Sequence, residues 1–287
     1  RIYGQDRAVK AATMLLYNHI HAHKRNILFA GPTGCGKTEI WRVMSRLYPN
    51  IRIIDSTMLT MQGWSGSFKV RDIFSSMSQE EAEKAIIVFD EFDKFCEPLY
   101  GSNGTNYGAA AQNELLKLIE GGQIYFPADK GKPALELDSS GISFVFCGSF
   151  ERLTDVKTES ESSMGFGNKI QKKDAYVQYE KEITVEDLVR YAGIRQEIGG
   201  RINQIVQLQG MTAEDYKKIL QDKTISPLHQ LERQYGVKLR LGEREREKLA
   251  QEAERTKMGV RYLRSKIQQI ADRKSTRLNS SHIPISY

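Results

Sequence analysis

NILFAGPTGCGKTEI, Asn26 to Ile40, decides the fold. Asn26 to Ala30 reads as a short apolar strand, Gly31 to Lys37 as a glycine-rich loop, and Thr38 onward (TEIWRVMSRLY) as an amphipathic helix. That is G-x-x-x-x-G-K-T in a strand–loop–helix setting. Glycines let backbone N–H groups curl round anionic oxygens, with the positive end of the helix behind them. Lys37 brings a point charge to the phosphates and Thr38 a hydroxyl to Mg²⁺. The expected nucleotide-binding residues are therefore Gly31, Pro32, Thr33, Gly34, Cys35, Gly36, Lys37 and Thr38, with Cys35 acting through its backbone rather than its sulfur.

KAIIVFDEFDKF, Lys84 to Phe95, supplies the partner strand. Four apolar residues, Ile86 to Phe89, are what a strand buried on both faces of a parallel sheet requires. The strand ends in Asp90-Glu91, which places both acids at the carboxyl edge of the sheet, where open α/β sheets bind ligands. Asp90 is expected in the Mg²⁺ shell with Thr38, and Glu91 as the base that orients and deprotonates the attacking water. Together the two motifs read as a Mg²⁺-dependent ATPase.

Composition narrows the remaining classes. At 287 residues and 40% hydrophobic, the chain can bury one large core and one small one. No run of 18 apolar residues suggests a membrane span. The chain begins at Arg1 without a signal-peptide pattern, and a cytoplasmic location is expected. Cys35, Cys96 and Cys147 form no C-x-x-C pair, so neither a zinc site nor a disulfide framework is expected. Without the stretch from Asp272 on, the formal charge falls from +6 to +4 (42 − 3 = 39 basic, 36 − 1 = 35 acidic), too mild to argue for nucleic acid by itself. DRKSTRLNSSH, Asp272 to His282, is poor in apolar residues, continues no helical pattern and matches what a common sequencing adapter encodes. Residues 272–287 are therefore expected to be a non-native tail, and the chain a piece of a longer protein.

The order of the remaining motifs carries a resemblance. IYGQDRAV, GPTGCGKT, the glycine-flanked Trp64, FDEFDK, NELLKLIEGG, MGFG, VEDLVRYAG, EIGGR and MGVRYLRS follow one another from Ile2 to about Ile270. This series resembles a bacterial ClpX-type unfoldase of the AAA+ family. The resemblance implies a homohexameric ring with ATP between subunits. It places Arg201, in EIGGR, as the arginine finger that reaches a neighbour's ATP, and Arg261, in GVRYLRS, as the sensor-2 arginine acting in cis. Ile2 and Tyr3 fall at adenine-contacting positions, and Ser149 is a weak match for sensor-1.

The resemblance also makes Trp64, in GWSG, a pore residue that grips polypeptide. Flanking glycines keep such a loop mobile, and an aromatic offers large area with two torsions to freeze. Met164-Gly165-Phe166 falls where the family carries the tripeptide that docks on a ClpP-like peptidase ring. The sequence departs from the family in several places. Trp replaces Tyr at the pore position, Ser65 replaces an aliphatic residue, and Met164 replaces Ile or Leu. The segment after FDEFDK is nearly free of basic residues, and the basic entrance loop is abbreviated to DKGKP, Asp129 to Pro133. The family's zinc-binding adaptor domain is absent from this sequence, and His19, His21 and His23 read as helix surface rather than a metal site.

The expected fold class is α/β: an AAA+ P-loop αβα domain with a parallel sheet over residues 1–208, then a small, mainly helical domain over 209–271. Thr212 is expected to cap the first small-domain helix, and VKLRL to form a short strand. Three functions are weighed. The first is an ATP-driven protein unfoldase feeding a ClpP-like peptidase, with ATP and Mg²⁺ as cofactors and unfolded or tagged proteins as substrates. The second is a stand-alone remodelling ATPase of the same fold. The third is a nucleic-acid motor, against which an aromatic pore loop argues, because such channels favour basic residues.

Overall fold

The computed structural model describes residues 1–59, 68–100, 106–129, 131–151, 153, 182–236, 238–256 and 258–280 (backbone alone at 107 and 273–280). The chain divides into two compact units, one of Asp6–Pro32 and Lys37–Gln209, the other of Arg1–Gln5, Thr33–Gly36 and Gly210–Tyr287.

The larger unit is built on five parallel strands: β1 (Ile27–Ala30), β2 (Ile51–Asp55), β3 (Ile86–Asp90), β6 (Ser143–Gly148) and β7 (Gln204–Gln207), in the order β2-β3-β6-β1-β7. Inner strands read as continuous apolar runs because helices cover both faces, and β1, β3 and β6 are buried almost throughout. The edge strands β2 and β7 are only partly buried and carry polar residues. Phe89, Phe92 and Phe146 fill the core, with Phe92 and Phe146 ring centroids 4.6 Å apart. Helices α1 (Asp6–Ile20), α2 (Lys37–Leu47), α3 (Gln79–Glu83), α4 (Phe92–Phe95), α5 (Tyr107–Glu120), α6 (Val185–Tyr191) and α7 (Gln196–Gly199) complete the unit.

A separate antiparallel pair, β4 (Gln123–Phe126) and β5 (Leu135–Asp138), frames the DKGKP turn. The described charges of that turn are paired with Lys69 and Asp72. Lys69 Nζ donates to Asp129 at 2.5 Å and Lys132 Nζ to Asp72 at 2.6 Å, while Arg71 donates to the Pro127 and Pro133 carbonyls. Lys132, half exposed, is thus paired with a nearly buried carboxylate. Lys130 lies outside the described residues.

His19 corrects the surface reading of HIHAH. It is 7% exposed, with Nδ1 2.9 Å from Ser143 Oγ and Nε2 3.0 Å from the Lys84 carbonyl. Since Nε2–H must donate to that carbonyl, Nδ1 accepts from Ser143, and the neutral ring joins α1 to the starts of β3 and β6. Burial lowers the His19 pKa, with the Lys84 hydrogen bond opposing in part. A His pKa lower in the folded than in the unfolded chain means the unfolded chain binds more protons below pH ~6.5. Stability is thus whole above that pH and falls as pH drops toward the folded-state value. Urea midpoints should fall between pH 7 and pH 5, and His19→Gln should flatten that part of the profile. A midpoint drop of equal size in His19→Gln would assign the pH dependence to other groups.

In the smaller unit, α8 (Ala213–Gln221), α9 (Pro227–Tyr235), α10 (Glu243–Thr256) and α11 (Val260–Ser280) close round Leu220, Leu231, Leu249 and Leu263. Thr212 caps α8: its side chain accepts from Asp215 N–H, while Asp215 accepts from Thr212 N–H. Two expectations fail here. Lys238 to Leu241 form no strand, since Leu239 N–H is satisfied by the Glu232 carboxylate at 2.8 Å rather than by a partner strand. Helix α11 runs on to Ser280 instead of stopping near Ile270. With no Gly or Pro from 260 to 280, extending a nucleated helix costs little, and an apolar stripe is not required.

Candidate functional site

Phosphate-loop strand β1 and acid-bearing strand β3 lie on either side of β6, and their carboxyl ends share one edge of the sheet. Gly31 N–H donates to Gly148 O at 3.2 Å, tying the start of the loop to the end of β6. Helix α2 opens on Lys37-Thr38, so both residues stand in its first turn. Thr38 Oγ1 donates to Asp90 Oδ2 at 2.8 Å, joining the helix start to the end of β3. Lys37 is 9% exposed, and its ammonium donates to the carbonyls of Gly31 (2.6 Å) and Pro32 (3.0 Å).

These residues fit a Mg²⁺-bound triphosphate. A buried ammonium is folded against its own loop, and Gly36 has φ 100° with nothing within 4 Å of where a Cβ would stand. Thr38 and Asp90 are hard oxygen donors already side by side. Among the described residues no group of three or more His, Cys, Asp or Glu could hold a metal.

Glu91 follows directly, with φ 55° and ψ 35°, at the N-cap of α4. A left-handed glutamate is strained, and such strain persists where surrounding structure fixes a side chain for use. Its carboxylate accepts from Lys94 Nζ at 2.6 Å, which holds the Lys94 pKa above the ordinary lysine value. Asp93, which sequence reading passed over, accepts from Ser149 Oγ at 2.7 Å and from Phe150 N–H at 3.3 Å. The sensor-1 match Ser149 is thereby joined to the α4 turn that carries Glu91. The second aspartate of D-E-x-D was the available signal.

Arg201 is not brought to this edge. Its carbonyl accepts from Asn26 Nδ2 at 3.0 Å, and Asn26 immediately precedes β1, so Arg201 stands at the amino edge of the sheet. Asn26, also missed from sequence, bonds Asn203 and Phe144 N–H as well and staples three strand starts together. The Arg201 guanidinium donates to Glu120 and to the Glu197 carbonyl, each at 2.7 Å.

Tyr3 and Arg261 belong to the smaller unit, as do Ile2 and Thr33 to Gly36. Tyr3 Oη donates to Asp222 Oδ2 at 2.7 Å, so its hydroxyl is committed and any base contact falls to backbone or ring. Bonds from Thr224 and Tyr3 hold the Asp222 carboxyl well below the usual carboxylate range. Gly34 (φ 80°) packs backbone-to-backbone on Gly259, two residues before Arg261; a Cβ on Gly34 would come within 2.9 Å of the Gly259 Cα. Trp64, Met164, Gly165 and Phe166 lie outside the described residues. Among the described residues no helix is long and apolar enough to cross a membrane.

Residues 27–154 match the family model described as "ATPase family associated with various cellular activities (AAA)". The matched segment runs from β1 past β6 and holds Lys37, Thr38, Asp90 and Glu91. The chain therefore carries an AAA ATPase domain.

Proposed function

We propose that this AAA ATPase domain powers an unfoldase of the Clp type, which hydrolyses ATP in a homohexameric ring and threads protein substrates toward a ClpP-like peptidase. The observation that carries the assembly is the separation of Arg201 from Glu91 on opposite edges of one sheet. A finger at the amino edge serves a neighbour's nucleotide, so a complete site needs two subunits. Mg²⁺-bound ATP, when present, supplies the phosphoryl group and the ion that neutralises its developing charge. The chain does the rest. Lys37 and the loop N–H groups hold the β- and γ-phosphates, and Thr38 with Asp90 fixes the ion. Glu91 leaves Lys94 to orient water and take its proton. Arg261 in cis couples nucleotide state to motion of the helical unit.

Polypeptide as the cargo rests on the motif order and on Trp64, whose aromatic area suits non-specific grip. ATPase rate should rise with an unfolded protein and stay level with duplex DNA. Stimulation by DNA alone would favour the nucleic-acid motor. Trp64→Ala should keep basal ATPase and lose unfolding, while Trp64→Tyr is tolerated; normal unfolding by Trp64→Ala would remove the gripping role.

Peptidase docking rests on Met164-Gly165-Phe166. Six such loops on a ring need only modest affinity each. Phe166→Ala should keep ATPase and unfolding but lose activation of a ClpP-like peptidase. Unchanged degradation of a tagged substrate would leave the stand-alone remodeller.

A further inference from the structure

Glu120 is the last residue of α5, with Gly121 (φ 88°) following. A carboxylate there faces the negative end of the helix dipole, so its charge opposes the helix unless cations offset it. Two cations gather at this end. Lys24 Nζ donates to the Ile119 and Ser139 carbonyls at 3.0 and 3.2 Å, and Arg201 Nη2 donates to Glu120 Oε1 at 2.7 Å. The Lys24 pKa is lowered by burial first and by the Arg201 charge second, so the two cations repel each other. The Glu120 carboxylate, paired with Arg201, supplies the negative charge that offsets this repulsion. Nη1 is anchored separately, to the Glu197 carbonyl at 2.7 Å. Two anchors on different nitrogens fix the plane of the guanidinium, and a guanidinium has five N–H donors, enough to meet a phosphoryl group as well. The Arg201 side chain is 36% exposed, so that plane is presented at the surface.

We propose that Glu120 is a positioning residue for Arg201, holding the guanidinium in the plane that a neighbouring subunit's phosphoryl group meets. This rests on the reading of Arg201 as a finger acting in trans. The test is steady-state ATPase of the full chain with Glu120→Ala, Glu120→Gln, Arg201→Ala and the Glu120→Ala/Arg201→Ala pair. Glu120→Ala should lower kcat by up to about 10²-fold with KM for ATP unchanged, the scale of a misplaced catalytic group. Glu120→Gln keeps length and an acceptor oxygen, so it should recover part of the rate and also guards against a folding defect. In the Arg201→Ala background Glu120→Ala should cost nothing more, because the two act as one unit. An unchanged or raised kcat in Glu120→Ala overturns the proposal, as does a full further loss in the Arg201→Ala background. If Arg201→Ala alone leaves kcat unchanged, the trans reading falls first and takes Glu120 with it.

Discussion

Arg201→Ala should bind ATP normally and hydrolyse it about 10³-fold more slowly, the scale on which arginine fingers act. The expectation follows from position. Arg201 is tied through its carbonyl to Asn26 at the amino edge of the sheet, whereas Glu91 ends β3 at the carboxyl edge. If Arg201 serves a neighbour's nucleotide, as proposed, its loss leaves Lys37 and Thr38 of its own subunit untouched. The loss is confined to the transition state, where negative charge spreads over the equatorial oxygens and a planar donor set is worth most. Mixing with Glu91→Gln subunits should restore some turnover, because each variant lacks a different half of a shared site. Absence of rescue in rings shown to have formed would count against action in trans.

Glu91→Gln should keep nucleotide affinity and lose at least ~100-fold in kcat, the contribution of a positioned general base. The amide keeps the size of the side chain and removes the basic oxygen. Thr38 and Asp90, proposed as the Mg²⁺ donors, are bonded to each other at 2.8 Å without it. Strain gives the prediction a second edge. Glu91 holds φ 55°, and Gln is no easier there than Glu, so stability should barely change. A melting temperature within a few degrees of the parent, with turnover collapsed, is the expected pair of results. Near-normal turnover would assign the base elsewhere.

What could be read from sequence was local. The apolar run Ile27–Ala30, the glycines after it and the acids closing Ile86–Phe89 each declare themselves within a few residues. From them the parallel sheet and the Lys37–Thr38–Asp90–Glu91 grouping both follow. The rest depends on contacts distant in the chain. His19 looked like surface because its partner Ser143 lies 124 residues away. The pairing of Lys132 was hidden because Asp72 lies 60 residues away. Asp93, between Phe92 and Lys94, could be noticed in D-E-x-D, but nothing beside it in sequence names Ser149 and the Phe150 N–H as its partners. The extension of α11 to Ser280 was hidden for the opposite reason: amphipathic periodicity marks a helix that packs, and this stretch has none. The left-handed backbone at Glu91 has no sequence signature, since outside glycine such conformations are imposed by surrounding packing.

The central claim, that ATP turnover here pulls polypeptide, is tested most directly by following the fluorescence of a stably folded, terminally tagged fluorescent protein mixed with this chain and Mg²⁺-ATP. Fluorescence should decay while ATP lasts, and should hold steady with Glu91→Gln in its place. Sustained ATP hydrolysis by assembled rings with undiminished fluorescence, together with stimulation of that hydrolysis by duplex DNA, would contradict the account.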